Sequence, residues 1–543
     1  MKEMDRRDFL KSALAALPML RLNWDLFPQA KQPRPDDKDF DAVVIGSGLG
    51  GLSCAAAFAR QGYKAIVLEQ HSQAGGYATT FNRPGGFSFD ASLHSTSVGE
   101  RQGVRNLIAG FPEITEVEFV PHRVLYRAIY PDFDIRVPQR NVQAYIDLLI
   151  KHFPGEKEGI IGLFEDMNGL LRDINKYQEA AGRVDMSRFP QDFPVLFKTY
   201  NKTWAGVIDP WIKDPKLKGI ISSLWGYFGL PPSKLSCFYY ALPLMGYLSQ
   251  GGYYPKGKSR AISQAFVKII KAKGGQVELS TPVEKILVKD GAAYGVVTSQ
   301  GKRITGRVIV SNANGYDTFH SLVEDQAALK DYLTRLDQYS ISLSSFQVFL
   351  GLKKDLVKDV GVKDSEIFFE PDYDPEAAYA RALAADVEAD GFGLTVYDNL
   401  YEGYSPEGKN TLNFMILQGY DHWKKYEEDY RKGNKAEYKK EKERMAGILI
   451  EKAEKALLPG LREAIEVKEI GTPLTNWRYT RNCRGAIYGW DQTVNNSGAS
   501  RVPHRTPIRN LFLAGAWTSP GHGYGAVIPS GLQCFAAIME EWT

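Results

Sequence analysis

Gly46, Gly48 and Gly51 stand at G-x-G-x-x-G spacing directly after Asp41 to Ile45, a short apolar run rich in β-branched residues. Such a run reads as a buried parallel strand, and glycines at its end are what a dinucleotide's pyrophosphate needs. The first allows a tight turn, the second lets the backbone approach the phosphates, and the third lets the next helix pack closely on the strand. That helix, expected from Leu52 to Arg60, then turns its N-terminal N–H groups toward the anion. A second strand is expected at Lys64 to Leu68 and runs into Glu69, near the ~20-residue offset at which a carboxylate meets ribose hydroxyls. Glycine-rich strand ends also occur without a nucleotide, and a strand-end glutamate can be merely solvated. The order strand, glycines, helix, strand, acid separates the two cases.

The elements that carry these residues belong to a chain of 543 residues, long enough for two or three folding units at about 150 residues each. Lys and Arg number 67 against 64 Asp and Glu, which leaves no global electrostatic footprint for nucleic acid. With 29 Tyr, 27 Phe and 9 Trp, the aromatic content suits a large apolar ligand as well as a large core. Cys54, Cys237, Cys483 and Cys534 form no C-x-x-C pair, so no metal site is expected. Cys54, in the helix after the glycines, is expected to be a small buried apolar residue.

Beyond Glu69 come LEQHSQAGG, with Gly75 and Gly76, and FSFDASLH, with His94. These stretches resemble the flavin-dependent family of carotenoid desaturases, carotenoid isomerases and retinol saturases, and LEQHSQAGG is most like the retinol saturase branch. In that family the paired glycines pass close to the flavin phosphates. Ser92 stands where the family usually has glycine. The block from Gly257 to Phe319, with VIVSNANGYDTF, extends the resemblance. It implies that Val283 meets the adenine through its backbone and that Asn312 and Ala313 lie near the cofactor. GAWTSPGHGYGA resembles the family's C-terminal G-D-x-x-x-P-G-x-G signature, which implies that Gly515, Ala516, Gly523, Tyr524, Gly525 and Ala526 hold the ribityl chain and ring. Ala516 replaces the usual aspartate. GAIYG, Gly485 to Gly489, again resembles the retinol saturase and isomerase branch.

The resemblance runs from residue 39 to 540. It implies noncovalent FAD, an α/β fold with a Rossmann-like FAD-binding domain of the glutathione-reductase and amine-oxidase type, and a discontinuous α+β substrate domain. The cofactor domain is expected to comprise residues 39–100, 240–329 and 470–543, and the substrate domain 101–239 and 330–469. Within the latter, a hairpin is expected at Arg123 to Ile129 and Phe133 to Val137, helices at Asn141 to His152 and Glu156 to Ile174, and strands at Leu343 to Leu352, Phe392 to Tyr397 and Thr411 to Gln418. Trp423 to Leu458 reads as one charged helical stretch with a solvated face. Leu235 to Pro255, the most apolar and aromatic stretch, suits either a core or the wall of a hydrophobic tunnel.

His94, His522 and Tyr524 are the candidates beside the flavin ring, with Tyr488 and Trp490 on the substrate side. A histidine there could donate a proton to a double bond, and each could equally be a structural hydrogen bonder. A desaturase removes hydride, a saturase delivers it, and an isomerase needs only transient electron donation. Saturation of a hydrophobic polyene or related lipid is preferred. A carotenoid cis-trans isomerase, a phytoene-type desaturase, an amine oxidase and a flavin-free prenyl-binding module are the alternatives, the last opposed by the intact glycines. There is no second dinucleotide motif to serve NAD(P)H, so the electron donor or acceptor stays open. Any membrane contact is expected to be peripheral.

Residues 1–30 read as an address. Asp5 to Lys11, DRRDFLK, resembles a twin-arginine export signal, and the apolar stretch Ser12 to Leu20 is too short for the ~20 residues of a spanning helix. Export to the periplasm in folded form is the expectation. Replacing Arg6 and Arg7 by lysine should hold the protein in the cytoplasm, as cell fractionation would show.

Overall fold

Strand Phe40–Ile45 is buried at every position and lies in the middle of a seven-stranded sheet. The computed structural model describes residues 37–97, 111, 114, 116–180, 184–324 and 329–542; the twin-arginine segment falls outside them. Phe40–Ile45 pairs in parallel with Ala65–Leu68 on one side and Arg303–Ser311 on the other. Gln276–Glu278 and Leu511–Leu513 extend the parallel set at its two ends. The antiparallel hairpin Val283–Lys289 and Ala292–Thr298 joins through the first residues of Arg303–Ser311. Strands buried on both faces need apolar residues throughout, which is why these segments read as continuous β-branched runs. Helices Leu49–Arg60, Arg260–Ala272 and Tyr524–Trp542 cover one face.

The second lobe is built on a mixed seven-stranded sheet in the order Ile465–Gly471, Ser344–Leu352, Asn410–Gln418, Phe392–Val396, Glu366–Phe369, Tyr126–Ile129, Asp134–Val137. Side chains alternate across a strand. Phe346, Val348, Leu350, Leu412, Phe414 and Ile416 therefore share one apolar core, while Ser345, Gln347 and Met415 line the cavity between the lobes. Helix Ala436–Ala456 closes the apolar side with Met445, Leu449 and Ala453.

Three expectations change. The stretch from Trp423 to Leu458 is not one helix but Asp421–Lys424, Glu427–Lys432 and Ala436–Ala456. Gly433, at φ +89°, ends the second helix in a conformation that glycine adopts without penalty. Trp423 is buried, while the Lys and Glu residues of Ala436–Ala456 keep a solvated face. The domain boundary expected at residue 240 falls inside helix Cys237–Gln250, whose Tyr240, Leu244 and Leu248 pack with the helices Val142–His152 and Lys157–Glu179. The boundary expected at 101 likewise shifts, because Phe111, Ile114 and Val117 pack in the core of the cofactor lobe. Side-chain burial decides both crossings, and glycine motifs do not mark them.

The C-terminal helix crosses Leu49–Arg60 at a glycine. A Cβ on Gly531 would collide with the Gly50 carbonyl and the Ser53 hydroxyl. Gly531→Ala should therefore destabilise the protein by about 3 kcal/mol, the upper end for overpacking a tight contact, measured by urea unfolding.

Candidate active site

A cavity of about 970 Å³ runs between the lobes, at the upper end of the roughly 300–1,000 Å³ typical of ligand pockets. Its floor at the cofactor lobe is the strand–helix turn after Ile45. Gly46 has φ +90°, so the turn is open only to a residue without Cβ. Asn312, at the end of the neighbouring parallel strand, fills the space the glycines leave. A Cβ on Gly48 would stand 2.8 Å from the Asn312 Nδ2, one on Gly50 would stand 2.8 Å from its Oδ1, and one on Gly515 would collide with that oxygen. Gly51 does not line the cavity; a Cβ there would collide with the Gly46 carbonyl, so it serves helix packing. Gly50, which spacing did not single out, is the added contact.

Glu69 is buried at the end of the second strand. Its Oε2 accepts from the Ser47 N–H at 2.7 Å and hydroxyl at 2.6 Å, and its Oε1 accepts from the His71 N–H at 2.8 Å. Oε1, with one of its two lone pairs engaged, keeps acceptor capacity for a ribose hydroxyl. Gly75, Gly76, Val283, Asn312 and Ala313 line the same cavity, as do Gly515, Ala516 and Gly523 to Ala526. The loop from Gly515 to Thr518 is fixed from behind by Arg501, a buried arginine. Its guanidinium donates to the carbonyls of Ala516 at 2.7 Å, Trp490 at 2.8 Å and Thr518 at 3.4 Å. Burial lowers its pKa to about 10. Helix Tyr524–Trp542 starts at this loop, so its N-terminal N–H groups favour negative charge on a bound ring. An elongated cavity, a glycine turn and an acid at the second strand fit FAD.

At the other end, His94 lies with Nδ1 3.0 Å from Glu366 Oε1 and 3.2 Å from the Tyr227 hydroxyl. Glu366 is buried in the second sheet, opposite Thr395, whose hydroxyl donates to its other oxygen at 3.3 Å. A carboxylate beside Nδ1 keeps the proton there, which leaves Nε2 for proton exchange. Burial pulls the His94 pKa down, but the Glu366 charge and hydrogen bond, with Asp90 behind, outweigh it and leave the pKa raised. Asp90 sets the backbone before His94. It is fully buried and accepts from the Tyr254 hydroxyl at 2.6 Å, the Ser259 N–H and hydroxyl at 2.8 Å each, and the N–H groups of Ser92 and Leu93.

His522 differs. Its Nε2 lies 3.2 Å from the Tyr227 carbonyl, and burial together with Arg501 pushes its pKa down to about 3. It is a neutral donor at working pH, and the expectation of a histidinium acid does not hold there. The Tyr488 ring lies tilted against it, 4.2 Å between centroids, and both line the cavity. Tyr524 lies at the wall with its phenol pKa raised well above the ordinary value by burial, so it stays protonated. Trp490 is not on the substrate side: it is buried in the cofactor-lobe core, edge-on to Trp517 at 5.0 Å. Sequence reasoning missed Glu366 and Tyr227. The alternation of Glu366 with Ile367 was the available signal for the first; nothing local marks the second.

Helix Cys237–Gln250 serves both of the roles expected for its stretch. Phe238, Tyr239, Leu242, Pro243 and Tyr247 line the cavity, while Tyr240, Ala241, Leu244 and Leu248 face the core. Core-facing and cavity-facing residues alternate with helical periodicity.

A model of the family of flavin-containing amine oxidoreductases matches residues 49–538. The chain belongs to that family. It is an FAD-dependent oxidoreductase. It is 27% identical over 540 residues to the all-trans-retinol 13,14-reductase of Danio rerio, covering 93% of this chain and 86% of that protein. It is 26% identical over 514 residues to the chloroplastic prolycopene isomerase of Arabidopsis thaliana, covering 92% and 83%. Among solved structures, cyclohexylamine oxidase from Brevibacterium oxydans matches with a TM-score of 0.59 at 16% identity, over 93% of this chain and 99% of that one. Such a likeness establishes the fold alone. A bulky residue at position 48 would fill the phosphate turn. Gly48→Val should give folded but colourless protein, read from its visible flavin absorbance and an unchanged circular dichroism spectrum.

Proposed function

We propose that the protein saturates a carbon–carbon double bond of a hydrophobic polyene. The observation that carries this reading is the His94–Glu366 pair, at 3.0 Å, in the wall of a cavity whose facing helix is aromatic and apolar. Support for a polyene comes from the relatives named as retinol reductase and prolycopene isomerase, which match over most of the chain.

The glycine turn, Glu69, Gly75, Gly76, Asn312 and the segment from Gly515 to Ala526 would hold FAD. FAD, when bound, supplies hydride for one carbon of the double bond. His94 Nε2 supplies the proton for the neighbouring carbon, and Glu366 stabilises the imidazolium that must be present beforehand. Phe238, Tyr239, Leu242 and Tyr247 exclude water and grip an apolar chain. His522 and Tyr488 shape the cavity where the segments from Gly226 and Pro520 meet, and neither takes up the proton.

Cis-trans isomerisation is the second reading, favoured by the prolycopene isomerases among the relatives. Export and peripheral membrane contact belong to the same proposal. Arg6-Arg7 supports the first, and the apolar, aromatic wall of the cavity, which suits a lipid-soluble substrate, supports the second.

Anaerobic incubation of the reduced protein with a polyene should give a product two hydrogens heavier and oxidised flavin; unchanged mass with altered retention would favour isomerisation instead. His94→Gln should slow turnover by about 10²–10⁴-fold with flavin content intact. Because Glu366 is what raises the His94 pKa against burial, removing its charge lowers that pKa. In Glu366→Gln the pH at which activity falls on the alkaline side should therefore move down, as a pH–rate profile would reveal.

A further inference from the structure

Two arginines at the cavity mouth pack against one indole ring. The guanidinium carbon of Arg431 lies 4.4 Å from the Trp477 ring centroid and that of Arg481 lies 4.7 Å from it. All three residues line the cavity, and among its described lining residues Arg431 and Arg481 are the sole lysines or arginines. They come from separate elements: Arg431 from helix Glu427–Lys432, Trp477 from helix Pro473–Thr480, and Arg481 from the cap of that second helix.

This assembly is tied to the cofactor turn from outside. The Gln70 amide, one residue past Glu69, donates to the Tyr479 carbonyl at 3.1 Å. The Asn314 amide, two residues past Asn312, donates to the Arg481 carbonyl at 3.0 Å. Arg481 also holds φ +56°, a left-handed conformation that costs a long side chain and suits glycine. A bulky residue kept in such a place, at a cavity mouth, points to use of its side chain. Glu427 pairs with Arg431 four residues along the helix, which steers that guanidinium without removing its remaining donors.

We propose that Arg481 and Arg431, both packed on Trp477, form a cationic clamp for the diphosphate of the bound FAD. It would add two cations to the phosphate contacts of the glycine turn and its helix N-terminus, which line the same cavity. A diphosphate brings negative charge that the cavity's own carboxylates, Glu69 and Asp317, do not offset, and guanidinium groups match its oxygens in pairs.

The inference rests on the FAD assignment, and the test separates the two. FAD and riboflavin, which lacks phosphate, are titrated into the stripped full-length chain at low and high salt, followed by flavin fluorescence. Arg481→Gly and Arg431→Gln should each weaken FAD by about tenfold, in the range of one charge-assisted contact at an exposed site, and leave riboflavin unchanged. The dependence of FAD binding on salt should flatten in the double variant. Arg481→Gly should also raise the melting temperature of the stripped chain, because glycine relieves the positive φ, so weaker FAD binding could not be blamed on damage to the fold. Equal loss of FAD and riboflavin affinity, or FAD binding as tight as wild type, would overturn the clamp. A wild-type chain that takes up neither flavin would overturn the cofactor assignment together with it.

Discussion

The contact on which the cofactor lobe depends is the packing of the Asn312 amide among glycines from separate parts of the chain. Gly48 and Gly50 come from the first strand–helix turn, and Gly515 from the loop after the last strand, and a Cβ on any of them would meet that amide. Two parallel strands and the final loop can approach this closely only because side chains are missing at their ends. The same approach leaves glycine backbone lining the cavity instead of a wall of methyl groups. Gly531 continues the arrangement one layer out, where the C-terminal helix lies against the Gly50 carbonyl. Close packing and an open phosphate turn are thus two results of one constraint.

A second dependence links the lobes. His94 belongs to the segment after the cofactor lobe's first glycines, whereas Glu366 belongs to the second sheet, and the two meet at 3.0 Å. Without Glu366, burial would drive the imidazole neutral, as it does at His522. The two histidines thus separate chemically although Tyr227 touches both, through its hydroxyl at His94 and its carbonyl at His522. One sits beside a carboxylate, the other near the buried Arg501. Environment, and not residue type, makes one of them a proton donor.

Alternation along the second sheet explains why a lobe with an apolar core also presents polar groups to the cavity. Gln347 lines the cavity and accepts from the buried Asn413 amide at 3.1 Å, on the face away from Phe346, Val348 and Phe414. Helix Cys237–Gln250 solves the opposite problem, presenting an apolar wall to the ligand while its other side anchors in the helical core.

Sequence alone determined the cofactor frame because that frame is local: a β-branched run, glycines at fixed spacing and a carboxylate at the next strand's end lie within some thirty residues. Glu69, Gly75 and Gly76 stand at this turn and line one cavity for the same reason, and the alternating strands of the second sheet were legible from their period of two. Gly433 is a readable helix stop inside the charged stretch between Trp423 and Leu458. What only the tertiary structure decided depends on contacts between distant segments. The partner of His94 lies in another lobe, the loss of charge at His522 comes from complete burial, and Trp490 turns into the core although its neighbour Tyr488 reaches the cavity. Lobe boundaries near residues 111–117 and 237–250 likewise follow the core against which each side chain packs. Burial and long-range electrostatics are properties of the packed chain, and no local spacing encodes them.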